Sequence, residues 1–243
     1  MLMSLREAVI IGGTESPVGE GVNHAWRCLI RFEDETISTA IVKKLDARGF
    51  SVEIFCSVLC RAWGLSVPEI VIIKDREFLV ASIDVGYPNL KQRLNLTDDL
   101  PESIKQALVV NGAKLISTFS STPLAIAVDE AINNRDRNLG NILWDGNNVS
   151  WIDHERALGY VGSKDLNVLV SLALMSGEAE KIKVAATATA LTLSSELIVD
   201  STQNIQGVED LVDFQKFVLQ RIASVTTLVV NRFPKPDDLL SNI

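Results

Sequence analysis

The residues best suited to chemistry lie in one stretch, NRDRNLGNILWDGNNVSWIDHE, residues 134–155. Asp136 and Asn141 form a D-x4-N unit, and Asp153 closes it after two short β-prone runs, Asn141–Trp144 and Val149–Ile152. The Asp-Gly-Asn-Asn between those runs is a hairpin turn signal. Folding of that hairpin brings Asn141 and Asp153 together and keeps Asp136 close by. Two hard oxygen donors of this kind suit Mg²⁺, which takes one or two protein groups and completes its shell with water and substrate phosphates. A neighbouring carboxylate can then orient and deprotonate a hydroxyl attacking a terminal phosphoryl group. The plainer account of the same residues is a surface turn, with Asn141 capping a backbone group and Asp153 paired with an arginine. The D-x4-N spacing alone is weak; the DGNN turn and the WIDHE closure make it more specific, yet on this stretch alone the two accounts stand about even, and residues elsewhere tip the balance.

Phosphoryl transfer of the protein-kinase kind also needs a cation on the phosphates, carried by a strand and held by a glutamate from the next helix. Ala40-Ile-Val-Lys-Lys-Leu45 is such a strand. Lys43 and Lys44 face opposite sides of it, so only one can reach a cleft. Lys43 is favoured because it follows the small-apolar-apolar run, but the sequence leaves the choice open. Glu53 on the following helix is the natural partner, its plainer role being a favourable charge near a helix N-terminus. Gly12-Gly13-Thr14-Glu15-Ser16 follows the first strand and either bends over nucleotide phosphates, with Gly12, Gly13, Thr14 and Ser16 as contacts, or is only a turn. It lacks the Gly-Lys-Ser/Thr ending of a Walker loop. Arg135 and Arg137 flank Asp136, either to touch phosphate or to brace the loop against acidic neighbours.

These groups must be positioned by elements of two kinds. The first ~85 residues read mostly as strands: Glu7–Ile11, Trp26–Phe32, Thr39–Leu45, Pro68–Lys74 and Glu77–Asp84, the last two joined by an IKDRE turn. One helix interrupts them, Ser51–Trp63, with apolar residues at helical spacing and Gly64 as its stop signal. Helices dominate the rest: Pro101–Thr118, Pro123–Ile132, Gly162–Ser176, Glu178–Leu197 and Glu209–Arg232. Residues 85–100 form the best boundary, giving units 1–84 and 85–243.

The 243 residues contain 47% apolar and 22% charged side chains, which suits a folded protein and makes fibrous and disordered classes poor fits. Thirty-one acidic against 23 basic groups give a net charge of −8. That balance disfavours direct nucleic-acid binding, which requires clustered Lys and Arg. Cys28, Cys56 and Cys60 have no metal or redox spacing and read as core residues. No apolar run reaches the roughly 18 residues of a membrane span, and the N-terminus carries no signal-peptide core. A cytoplasmic location without membrane association is expected.

The motifs together resemble the HipA-like kinases, in particular their compact stand-alone form. The resemblance covers about residues 8–160. It rests on GGTESP, AIVKK, GLSVPE and, most specifically, N-x-DRN-x-GNILWDG followed by WIDH. It implies an α+β, bilobal protein-kinase-like fold with a β-rich N-lobe carrying one helix and a mainly helical C-lobe. It implies ATP and Mg²⁺ as cofactors, Asp136 as base, Asn141 and Asp153 as metal ligands, and Lys43 or Lys44 on the phosphates. FLVASID would lead to the hinge, where main-chain groups of Ala81 and Ile83 meet adenine. The expected activity is transfer of the γ-phosphate to a Ser/Thr hydroxyl of a protein, the chain itself included, with Thr14 and Ser16 as candidate acceptors by location. The alternatives are a non-catalytic binding module of kinase fold and a phosphotransferase acting on a small molecule. His-Arg-Asp is absent, and His154 rather than Phe-Gly follows Asp153, so a mobile activation segment of the usual kind is not expected. His154 reads as a packed, hydrogen-bonded residue in preference to a contact with phosphate or Asp136. Self-association and regulatory partners are left open.

Overall fold

The structure is a computed structural model describing residues 5–18, 25–74, 76–162, 164–205 and 207–234. Asp75 of the IKDRE turn lies outside the described residues, as do Ser163, Gln206 and both ends of the chain. In chain order, the first strands are β1 (Arg6–Ile10), β2 (Ser16–Pro17), β3 (Trp26–Phe32) and β4 (Ile37–Lys44). The helix α1 (Ala47–Ala62) follows, then β5 (Ile70–Ile73) and β6 (Leu79–Ile83). The sheet runs β1-β5-β6-β4-β3-β2, and β1 also pairs with β3, so five strands close on themselves as a small barrel. Alternation in WRCLIRF and ISTAIVKK aims Cys28, Ile30, Phe32, Ala40 and Val42 inward, where Ala8, Val71, Ile73 and Ala81 complete one core.

The opposite face of β5 and β6 receives α1. Asp46 caps that helix by accepting from the Gly49 N–H at 2.6 Å, and Gly64 ends it with φ +86°. Every residue from Phe50 to Cys60 is buried, because α1 has neighbours on both sides. Phe50, Ile54 and Val58 pack on Ile70 and Val80 of the sheet. Val52, Phe55, Cys56, Leu59 and Cys60 belong to the core of the helical part, with Ile126, Ile132 and Trp151. Cys56 and Cys60 are therefore packing residues, and burial raises both thiol pKa values.

The helical part contains α2 (Leu90–Arg93), α3 (Glu102–Thr118), α4 (Thr122–Ala131), α5 (Val168–Ser176), α6 (Ala179–Ala190), α7 (Glu196–Asp200), α8 (Leu211–Ile222) and α9 (Val225–Arg232). Between α4 and α5 lies the hairpin of β7 (Ile142–Trp144) and β8 (Val149–Trp151), paired Ile142 to Trp151. Two expected helices are divided. Glu209–Arg232 breaks at Ala223–Ser224, where the Arg221 side chain is drawn to the Glu130 carbonyl and the Ser224 hydroxyl bonds the Arg221 carbonyl. The Glu178–Leu197 run stops at Ala190 and resumes as α7. The helix expected from Gly162 begins only at Val168, because the Asn167 side chain caps the Leu169 and Val170 N–H groups. Among the described residues no helix is long and apolar enough to cross a membrane.

Candidate active site

The loop between α4 and β7 is held by its own amides. Asn134 accepts from the Asp136 N–H at 3.1 Å. The Asp136 carbonyl accepts from the Asn138 and Asn141 side-chain amides, each at 3.1 Å. The D-x4-N spacing therefore has a local cause: Asn141 spends an N–H on the backbone of Asp136. Its amide nitrogen is committed inward and its oxygen remains the donor atom suited to a cation. The Asp136 carboxylate, with 42% side-chain exposure, stays at the surface beside Arg156, 3.4 Å away.

The hairpin turn is built by Asp145, which accepts from the Asn147 and Asn148 N–H groups at 2.7 Å. Those bonds, first the one from Asn148, hold the Asp145 carboxyl down at about 2. The Ile152 N–H donates to the Asn141 carbonyl at 3.1 Å, so Asn141 and Ile152 face each other and Asp153 begins just beyond. Asp153 has φ +70°, left-handed and costly for a residue with a side chain. Such strain persists where surrounding contacts impose it and marks functional sites. Here the flanking contacts are visible: the His154 N–H donates to Glu53 Oε2 at 2.6 Å, and Asp153 Oδ1 receives Lys43 Nζ at 2.7 Å.

Lys43 thus reaches the hairpin from β4, and Lys44 does not. Lys44 is exposed and lines a cleft at the barrel mouth with Trp26, Arg76 and Glu77. Burial lowers the Lys43 ammonium's pKa, but Asp153, Glu53 and Glu155 outweigh it and the net shift is upward. Glu155 Oε2 lies 3.8 Å from Lys43 Nζ. For Glu53, burial is the largest cause of a carboxyl pushed up to about 7, opposed by Lys43 and reinforced by Asp153.

Arg135 and Arg137 take the bracing alternative, against acids that the sequence reading did not name. Arg137 is 1% exposed and pairs with Asp129 through two bonds, of 2.8 and 3.1 Å. It also donates to the Ile152 carbonyl at 2.7 Å, tying α4, the loop and the hairpin together. Arg135 makes a bidentate pair with Glu130, at 2.8 and 2.9 Å. Glu130 also accepts from Arg232 and Asn167. Both arginines flanking Asp136 are therefore buried braces. The available signal was Asp129-Glu130 at the end of an otherwise apolar helix, where buried acids demand partners.

The other expected positions have the following surroundings. The Ile83 N–H donates to the Glu69 carbonyl, and Ala81 lies between Val42 and Val71 in the sheet. The Ile83 N–H is thus taken by the sheet, which continues to the Asp84 N–H on the Thr39 carbonyl. Gly12 and Gly13 form an exposed turn with nothing within 4 Å of an added Cβ. The Thr14 hydroxyl donates to the Ile11 carbonyl at 2.6 Å and accepts from the Leu29 N–H at 3.0 Å, so it is committed to its own turn. Ser16 is exposed on β2. His154 is fully buried as expected, but both ring nitrogens lack a hydrogen-bond partner among the described residues. Burial, with Arg137 and Lys43 nearby, drives its pKa well below the usual histidine value.

Among the described residues no three His, Cys, Asp or Glu side chains gather as a metal cluster. The donor set here is one carboxylate and one amide oxygen, which fits an ion that carries water and phosphate.

No protein-family model matches the sequence, and no curated protein matches it. Solved structures do match in fold. A crystal structure of the Helicobacter pylori proinflammatory kinase CtkA aligns over 96% of this chain and 98% of that one, with TM-score 0.55 and 13% identity. HipA of the Shewanella oneidensis toxin–antitoxin system, in a complex with HipB and its operator DNA, aligns over 94% of this chain and 68% of that one, with TM-score 0.57 and 10% identity. This chain has the fold of the HipA-like kinases. In this chain Lys43 lies on β4 of the barrel, Asp136 and Asn141 lie on the loop before β7, and Asp153 follows β8.

Proposed function

We propose that the chain is an ATP- and Mg²⁺-dependent kinase that transfers the γ-phosphate to a Ser/Thr hydroxyl of a protein, its own included. The observation that carries this reading is the meeting of Lys43 and Asp153 at 2.7 Å, with Glu53 and Glu155 around them. This lysine from the sheet and this acid from the hairpin are held partly buried beside two further acids. They make chemical sense as the two sides of a phosphate and metal site.

In this reading residues 1–84 and 85–243 act as two lobes sharing α1, and the main chain at 84–88 receives adenine. Asp153 and the Asn141 oxygen hold Mg²⁺, which when bound neutralises charge on the phosphates and orients them. Lys43 releases Asp153 and turns to the phosphates. Glu53 stays on the His154 N–H and fixes the backbone of Asp153. Asp136 takes the proton of the attacking hydroxyl. Self-phosphorylation near the barrel would fall on Ser16, whose hydroxyl makes only a long 3.5 Å bond to the Arg27 carbonyl, rather than Thr14, whose hydroxyl is committed at both its donor and an acceptor site.

The test is Mg-ATP binding, read as thermal stabilisation, together with transfer of labelled γ-phosphate. Saturation at ~100 times the dissociation constant stabilises a fold by ~2.7 kcal/mol. Asp136→Asn should keep that stabilisation and lose transfer, and Asp153→Ala should lose the Mg²⁺-dependent part of binding. Absence of both stabilisation and labelling in the unaltered protein refutes the reading.

A further inference from the structure

The two arginines next to Asp136 are consumed by Glu130 and Asp129. Asn138, two positions after Asp136, is also occupied, accepting from the Gly140 N–H and donating to the Asp136 carbonyl. The loop that carries the base therefore offers no cation of its own to the face where a hydroxyl and a phosphoryl group must meet. Lys43 serves the other side, at Asp153. One guanidinium does stand at Asp136: that of Arg156, its Nη1 3.4 Å from Oδ2.

Three observations fit Arg156 to a working role. The pair is loose and open, with side-chain exposures of 40% and 42%, so a competing anion can draw the guanidinium away. Its other face lies over the Tyr160 ring, 5.5 Å from the centroid, which keeps the fork in place without using its N–H groups. The backbone on its C-terminal side is fixed, since Arg48 donates to the Ala157 and Leu158 carbonyls and the Leu158 N–H donates to the Ile132 carbonyl. Arg156 thus stands on an anchored turn, with only its side chain left to move.

We propose that Arg156 is a further catalytic residue, the cation that binds the transferring phosphoryl group on the Asp136 side of the site. The proposal rests on the kinase reading above. In the step, the acceptor O–H bond breaks and its proton passes to the Asp136 carboxylate. The acceptor oxygen forms a bond to the γ-phosphorus, and the bond from that phosphorus to the bridging oxygen breaks, its electron pair leaving with ADP. Arg156 exchanges the Asp136 carboxylate for the equatorial phosphoryl oxygens, which its planar fork can engage in pairs. Asp136 is freed to accept the proton at the moment Arg156 leaves it.

The test compares the unaltered chain with R156A and R156K, using Mg-ATP carrying a labelled γ-phosphate. It measures self-labelling, release of phosphate to water, and thermal stabilisation by Mg-ATP. Loss of one charge-stabilising donor typically costs ~100-fold or more in rate. R156A should show that loss with its Mg-ATP stabilisation unchanged, R156K should fall between, and millimolar guanidinium should restore part of the R156A rate. Should R156A melt early, R156Q, which keeps the side-chain stem, carries the same comparison. Unchanged transfer in R156A overturns the proposal and leaves the kinase reading intact. A parallel loss of Mg-ATP stabilisation also overturns it, by placing Arg156 in ground-state binding or structure. No transfer by the unaltered chain overturns both.

Discussion

Lys43 and Asp153, 110 residues apart, join the barrel to the hairpin through one contact of 2.7 Å. The surroundings make the pair asymmetric. Lys43 is the cation among Asp153, Glu53 and Glu155, whereas Asp153 is one acid of three. Lys43→Met should therefore strand clustered carboxylates, costing about 3 kcal/mol, partly relieved when Glu53 takes up a proton. Asp153→Asn should cost under ~1 kcal/mol, because Lys43 keeps two acids. Lys44→Met, on the exposed side of β4, should stay within ~0.5 kcal/mol. Urea-unfolding midpoints of the three variants check this, and equal costs at Lys43 and Lys44 would refute it.

Asp129 and Arg137, each 1% exposed, form the brace under the loop. Removing one partner of a buried pair leaves the other charge unpaired, so Arg137→Met should cost ~3–5 kcal/mol. The double variant Asp129→Asn/Arg137→Met should regain much of that stability. Nucleotide binding should not return with it, because the bond from Arg137 to the Ile152 carbonyl positions Asp153 and is lost in both. A double variant that regains stability and Mg-ATP stabilisation together would show the brace to be purely structural.

Glu130 is 0% exposed and faces Arg135, Arg221 and Arg232. Glu130→Gln would leave three guanidinium groups around a neutral amide, with an expected cost of ~3–5 kcal/mol and loosening of α8 and α9. Asp165, with 80% side-chain exposure, also pairs with Arg135 and Arg232. In solvent such a contact is worth under ~1 kcal/mol, so Asp165→Asn should be nearly silent. Calorimetric melting of the two variants separates the cases.

What the sequence disclosed follows from which signals are local. The hairpin was legible because Asp145-Gly-Asn-Asn builds its turn within four residues. Strands β3 and β4 were legible because inward positions alternate along a barrel with a dry interior. The side of Lys43 was undecided, since facing lysines differ only in what lies across the sheet. Glu155 and Arg156 carried no signal, because their partners, Lys43 and Asp136, come from elsewhere in the chain. The pairing of the Ile83 N–H was hidden for a related reason. A strand's end can be read to within a few residues, but the bond from the Ile83 N–H to the Glu69 carbonyl extends the ladder past the expected point.

The pH dependence of stability should reveal two neighbours working against each other. Burial first, with Asp153 and Glu155 against Lys43, raises Glu53 from 4.5 to about 7 in the folded chain. Its contribution is then full below the unfolded value near 4.5 and is lost as pH rises through about 7, a change of ~3 kcal/mol. Burial depresses His154 well below 6.5, so its contribution is full above 6.5 and is lost as pH falls, by ~1.4 kcal/mol per pH unit. Between pH 4.5 and 6.5 the two slopes oppose each other. The unaltered protein should accordingly show a shallow profile there. Glu53→Gln should expose the histidine slope, with stability falling as pH drops from 6.5 to 5. His154→Phe should expose the other, with stability falling as pH rises from 5 to 7. The carboxyl of Asp145, held at about 2, titrates outside this window. Urea unfolding at half-unit pH steps in the presence of a chelator measures all three profiles. Parallel curves would mean that neither buried group changes its proton occupancy on folding, and the opposed pair would have to be abandoned.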